Sequence, residues 1–382
     1  MSLSPILLLV STAHFFNDIY MGFLTPLYPI VMDRFGLSLS LVGTISMVAA
    51  LASAFAQPLF GVLFDRFKIT AAVYLAPLLT GVFVSCLGLA PSYPVFLALL
   101  FLGSLGSAAF HPKGASVTPS LSGRHPEIGM AIFSAGGSIG YAAGPAAIAF
   151  FIALFGFRAT PVLAAPAAAV ALVLFLLLPS RELAARTARD SGVTWRSLFA
   201  DRARLAVLVR LVTINFCITV AVRGMGTFLP VSLAGAGVKV TKIGVIFTVM
   251  LALGAVASIF AASLSKRTGR RPLVLASVLG GVPFALAGLL LLPSAAGIVL
   301  IVVAGAIFSS SSPVLLLFAQ GYSGGSPAMA SSLLMGVSWG IAGLLMVPLG
   351  GIGELVGIRP MMIVVVLFPL LATVSCLRIP RR

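Results

Sequence analysis

Apolar residues recur along this chain in runs of about twenty or more, separated by short stretches bearing polar residues, glycine or proline. At 1.5 Å per residue, such a run folded as a helix crosses about 30 Å of hydrocarbon. The pattern predicts spans at residues 5 to 32, 38 to 64, 70 to 90, 93 to 118, 126 to 154, 157 to 178, 204 to 233, 240 to 264, 272 to 292, 295 to 319, 327 to 353 and 358 to 377. A membrane barrel needs alternating segments of about ten residues, a pattern this chain lacks. The even count places both termini on one side.

Composition agrees with this reading. Apolar residues make up 60% of the 382 and charged residues 8%, against about 25% charged in an average soluble chain. The formal charge of +16 does not mark a nucleic-acid partner, because the cations stand singly or in small groups at the ends of apolar runs. Arg66, Lys68, Arg124, the group from Arg181 to Arg204, Lys266 to Arg271 and Arg378 to Arg382 fall on the side of the termini. Only Arg34, Arg158, Lys239, Lys242 and Arg359 fall on the other, so the positive-inside rule predicts cytoplasmic N and C termini. Cys86, Cys217 and Cys376 lie in apolar spans and read as packing residues, not as a disulfide framework. The first span is too long for a signal peptide, lacks a basic leader and carries His14, Asn17 and Asp18 in its middle, so it is expected to persist as a helix.

Shifted by about two hundred residues, the chain falls into register with itself. Phe23, Leu24 and Pro26 come near Phe228, Leu229 and Pro230; Gly43 meets Gly244; Pro112 meets Pro313; Gly136, Ser138 and Gly140 meet Gly336, Ser338 and Gly340. The expected organisation is an N-terminal six-helix half over residues 1 to 180, a linker over 181 to 203 and a C-terminal six-helix half over 204 to 382. Trp195, Leu198 and Phe199 among Arg196, Asp201 and Arg202 predict a short amphipathic helix on the inner membrane face, in contact with lipid.

Several segments carry a resemblance. Gly61, Asp65, Arg66 and Lys68 stand between spans 2 and 3, and Lys266, Arg267, Gly269, Arg270 and Arg271 between spans 8 and 9. Both stretches resemble the cytoplasmic-loop signature of the major facilitator superfamily, whose fold is two pseudo-symmetric six-helix halves around a central site. There the signature latches the inner gate, with Asp65 set against the N-terminus of a helix starting near Ser326 and Pro327. Lys266 stands where the second copy would carry an acid. In span 5, Gly136, Gly140 and Gly144 repeat every four residues ahead of Pro145, giving a smooth face for close helix packing. That stretch is similar to the glycine and proline motif of antiporter members. His14, Asn17 and Asp18, then Gly106 and Ser107 with Phe110, His111 and Pro112, then Gly123, Arg124, His125 and Phe133, together resemble the fosmidomycin resistance protein family. That resemblance implies drug export by proton exchange in a bacterial inner membrane. Lys113 departs from it, since an acid is expected after His111 and Pro112.

Ionisable groups at membrane depth are costly, by about 2.5 kcal/mol or more each, and mark functional sites by default. Asp18 is the only acidic residue deep in a span, and His14 lies one helical turn away on the same face. A carboxylate and imidazole couple can exchange protons near neutral pH; the alternative is a purely structural hydrogen-bonded group. His111 flanks Pro112, which removes one helical hydrogen bond and should leave the Ala108 carbonyl open. Proton coupling is therefore assigned to Asp18, His14 and His111. Arg223 in span 7 needs water, a carboxylate or an anionic ligand; it either pairs with Asp18 or anchors substrate. Asn17, Tyr20, Gln57, Tyr141, Gln320 and Trp339 are candidate substrate contacts, each equally readable as packing. No phosphate loop, metal-spaced cluster or catalytic triad appears, so neither an enzyme, a cofactor nor a metal is expected. The reading is a monomeric transporter exporting a small anionic or amphiphilic compound against protons. Uptake by symport and a membrane sensor or lipid-handling role are the alternatives.

Overall fold

The computed structural model describes residues 4–67, 69–123, 125–178, 201–323 and 327–380, leaving out the side chains at 62, 65 and 327–329. Nearly all of the expected linker, with Trp195, lies outside the described residues. Among those described there is no strand, and twelve helices are long and apolar enough to cross a membrane. They are α1 (Pro5–Phe35), α2 (Leu39–Phe67), α3 (Ala72–Leu89), α4 (Tyr93–Leu121), α5 (Pro126–Phe155) and α6 (Phe157–Leu177). The series continues with α7 (Arg202–Gly235), α8 (Val240–Thr268), α9 (Arg270–Leu291), α10 (Ala295–Gly321), α11 (Ala330–Val356) and α12 (Ile358–Arg378). Each expected span has its helix, with ends displaced by a few residues.

The helix ends follow local chemistry. Pro5, Pro94 and Pro126 sit in first turns, where a missing N–H costs nothing. Asp201 caps α7 by accepting from the Ala203 and Arg204 N–H groups. Gly36, Gly156, Gly237 and Gly357 turn the chain at positive φ, a conformation that glycine adopts without strain. Gly36 and Gly237 stand 201 residues apart, as do Gly156 and Gly357, so the repeat read from the sequence is written into the turns as well.

Interior breaks are also local. α1 pauses at Phe23, ahead of Pro26, and α10 pauses at Ser311, ahead of Pro313. In α11 residues Leu333–Val337 form a π turn. By contrast, α4 runs through Pro112 unbroken. There the His111 ring donates from Nδ1 to the Ser107 carbonyl at 2.7 Å. The carbonyl that Pro112 deprives of its helical partner is the next one, that of Ala108.

Contacts divide the chain into two compact units: Met1–Leu27 with Leu51–Asp190, and Tyr28–Ala50 with Ser191–Arg382. The hairpin of residues 28–50, drawn from the first half of the sequence, thus groups with the second set of helices. Glycine makes this possible: a Cβ on Gly43 would strike the Met346 carbonyl, and one on Gly350 the Leu39 carbonyl. Glu354 accepts from the Ser40 N–H at 2.7 Å and so caps the first turn of α2. Phe228, Phe247, Phe308 and Phe318 are buried in the core of this unit.

In the first unit α1 packs chiefly along α5, and also against α3, α4 and α6. Gly136, Gly140 and Gly144 lie against the carbonyls of Ser11, Phe15 and Ile19, so a four-residue glycine spacing meets a four-residue carbonyl spacing. Lipid offers no hydrophobic drive between helices, and close backbone packing of this kind supplies the attraction instead. Pro145 follows on the same face, near Gly22 of α1.

Gly140→Ala is expected to destabilise the protein by about 1–3 kcal/mol, because its Cβ would overlap the Phe15 carbonyl oxygen. Gly226→Ala in α7 meets nothing within 4 Å and should be neutral or stabilising by up to about 1 kcal/mol. Thermal unfolding in detergent compares the two; equal shifts would contradict the α1–α5 contact.

Candidate functional site

α1 and α4 bring three ionisable side chains together in the first unit, beside α5. His14 and Asp18 lie one turn apart on α1, with Nε2 of His14 3.3 Å from Oδ2 of Asp18. His111 comes from α4, its Nε2 3.3 Å from Oδ1 of the same carboxylate. Each imidazole thus addresses its own oxygen. The His14 ring stacks on Phe133 at a centroid separation of 4.1 Å and meets the His111 ring edge-on at 5.1 Å. Its Nδ1 donates to the Phe133 carbonyl at 2.8 Å.

Neutral residues hold this cluster in place. Asn17 is fully buried, and its amide nitrogen donates to Oδ1 of Asp18 at 2.8 Å and to the Ser107 hydroxyl at 3.1 Å. Its amide oxygen accepts from the Thr80 hydroxyl at 2.9 Å. Asn17, a candidate substrate contact, is thus bonded directly to Asp18. Gly137 faces the cluster from α5, where a Cβ would press on Nε2 of His14 and lie 2.8 Å from Oδ2 of Asp18. The ligand-type atoms of His14, Asp18 and His111 lie within 4.8 Å of one another and could hold a metal ion. Nε2 of His14 and Nε2 of His111 face different oxygens of the carboxylate, each at 3.3 Å.

The described partners of Asp18 are these two imidazoles and the Asn17 amide, where the sequence had offered Arg223 as one candidate. Arg223 is engaged within the second unit. Its guanidinium carbon lies over the Trp339 ring, 4.9 Å from the centroid, and one nitrogen donates to the Ser46 carbonyl and hydroxyl at 3.4 Å. Trp339 is itself 41% exposed. An arginine within an apolar span is costly unless it has partners of this kind.

The second unit repeats the helix-to-helix bond with a different side chain. Asn215 of α7 donates from Nδ2 to the Leu334 carbonyl of α11 at 2.9 Å, inside the π turn. Asn215 and Leu334 are 119 residues apart, the same separation as His14 and Phe133.

Other candidates are placed differently. Tyr20 is buried, and its hydroxyl donates to the Leu163 carbonyl at 2.5 Å, a contact that ties α1 to α6. Gln320 donates to the Ser331 hydroxyl at 3.0 Å, joining α10 to α11. Gln57 is half-buried on α2 and Tyr141 is exposed on α5. Among the gating candidates, the Asp65 side chain lies outside the described residues, while Arg66, Lys266 and Arg267 are exposed at helix ends. Arg270 donates to the Leu317 carbonyl at 3.3 Å and lies over Phe318, capping the last turn of α10; Arg271 is half-buried beside it. Gly61 lines a cavity of about 80 Å³ with Phe64, Pro112, Lys113 and Ser116. Lys113 is 2% exposed there, not extended to the interface.

Comparison with known proteins agrees with this architecture. The fosmidomycin resistance protein of Escherichia coli is 27% identical over 374 residues, covering 96% of this chain and 90% of that protein. An uncharacterised MFS-type transporter of Bacillus subtilis, YfnC, is 26% identical over 385 residues, covering 98% and 92%. Among solved structures, the nucleoside transporter NupG superposes with a TM-score of 0.77 at 12% identity, covering 98% of each chain. A D-xylose–proton symporter gives 0.72 at 13% identity, covering 98% and 97%; both likenesses speak to the fold alone. The profile of the Major Facilitator Superfamily matches residues 10–323. With twelve membrane-length helices and this match over most of its length, the chain belongs to the Major Facilitator Superfamily, as a multi-pass secondary transporter of the bacterial inner membrane.

Proposed function

We propose that the protein exports a small anionic or amphiphilic compound in exchange for protons, by alternating access, as a monomer with both termini cytoplasmic. The observation that carries this reading is the His14–Asp18–His111 cluster: three ionisable groups on membrane-length helices, in contact with one another and with a buried amide. A structural role alone does not call for two imidazoles on one carboxylate where ionisable groups are so costly. Arg223 over Trp339 offers an anion a charged fork and an apolar face together. Export is supported by the name of the Escherichia coli relative, a resistance protein, and by the glycine and proline motif of α5. Asp65, with the cations around Arg66 and Arg270, serves as the inner latch in this reading.

Flux into proteoliposomes under an imposed pH gradient, screened over phosphonates, carboxylates and lipophilic cations, tests the proposal. Outward solute movement coupled to inward protons supports it, and solute moving with protons in the same direction makes the protein a symporter. Asp18→Asn should abolish proton-driven flux while sparing solute counterflow, since it fixes the neutral state at nearly constant volume. Proton-driven flux at the wild-type level in that variant would make the cluster structural.

Arg223→Lys keeps the charge but loses the bidentate fork. It is expected to weaken a carboxylate ligand about tenfold and its amide analogue less than twofold. Equal losses in binding titrations would leave Arg223 as a structural cation on Trp339.

A further inference from the structure

Both imidazoles of the cluster are locked in one tautomer. Nδ1 of His14 faces the Phe133 carbonyl and Nδ1 of His111 faces the Ser107 carbonyl, at 2.8 and 2.7 Å. A carbonyl oxygen only accepts, so each Nδ1 carries hydrogen. Each neutral ring then turns a bare Nε2 toward Asp18, and an ionised carboxylate has no hydrogen to offer either one. With no mobile proton, two nitrogen lone pairs would face two oxygens 3.3 Å away, deep in a low-dielectric interior. A proton, or another cation, between them relieves that contact.

The three groups also differ in exposure. Side-chain exposure falls from 32% at His111 to 16% at Asp18 and 8% at His14. The surroundings add few other titrating groups. α3 contributes Thr80 and α5 contributes the Phe133 carbonyl and Gly137, while α6 has no charged residue between Ala164 and Leu177. From α4 comes His111 itself, with the buried cation Lys113 two residues on.

We propose that His111, Asp18 and His14 form a directional proton relay, with His111 as the port to water and His14 as the store. The relay deepens the proton-coupling reading above and rests on it for its role in transport. The proton passes from Nε2 of His111 to Oδ1 of Asp18, leaving a neutral ring and a carboxylic acid. A half-turn of the carboxyl group about Cβ–Cγ presents that hydrogen to Nε2 of His14. The ring takes it, becoming imidazolium and restoring the carboxylate; the Asn17 N–H then holds the other oxygen. Gly137 keeps α5 clear of this turn.

The chain has three histidines, and His125→Gln leaves the two of the relay. Solid-state NMR of ring-labelled histidine in lipid bilayers then reads each nitrogen directly. Both Nδ1 atoms should be protonated at every pH examined, and the His14 Nε2 proton should exchange with water through His111. His111→Gln should slow His14 exchange about tenfold or more, and Asp18→Asn should do the same while leaving His111 exchange fast. Unchanged His14 exchange in His111→Gln, or a bare Nδ1 on either ring of the unsubstituted cluster, overturns the relay. The transport reading fails separately: if His14 exchanges through His111 but solute flux ignores the pH gradient, the relay stands and proton-coupled transport does not.

Discussion

Two helix backbones meet without intervening side chains where Gly136, Gly140 and Gly144 of α5 lie on the carbonyls of Ser11, Phe15 and Ile19 of α1. At that separation the His14 ring reaches the Phe133 carbonyl and stacks on the Phe133 side chain, and Gly137 leaves room for the Asp18 carboxylate. A wider crossing would break both. Packing and chemistry are thus one problem here: the small residues that hold the helices together in lipid also set the distances of the ionisable cluster.

Several charged side chains have their described partners within one unit. Asp18 is satisfied by two imidazoles and an amide, and Asn17 is itself fixed by Thr80 and Ser107. Arg223 lies over Trp339 and donates to Ser46. Arg359 donates to the carbonyls of Leu289, Leu290 and Leu292 at the end of α9, and Arg270 caps α10. Arg359 and Arg270 serve helix C-terminal ends, which leave carbonyls open and carry partial negative charge.

Much of the fold could be read from the sequence, because long apolar runs have few other physical outcomes. The repeat was legible too, and its offset reappears in the turn glycines Gly36 and Gly237. Interior irregularities were not: the π turn of α11 has no compositional mark, and α4 passes Pro112 without a break. Within the site, the one-turn spacing of His14 and Asp18 showed that they share a face. That His111 completes the group depends on how α4 packs, which periodicity does not encode. Thr80 gave no signal at all, being one hydroxyl among many in apolar helices. Tyr20 shows the converse case: a polar side chain at membrane depth that serves a helix contact with the Leu163 carbonyl.

The bond from Asn215 to Leu334 stands where the bond from His14 to Phe133 stands in the other unit, at the same separation along the chain. An amide does not change its charge across the physiological pH range, whereas an imidazole does. The α7–α11 joint is therefore held by a side chain of fixed charge, and the α1–α5 joint by one that carries the proton in the proposed function. In that reading a change of pH bears on one joint of the pair and leaves the other as it was.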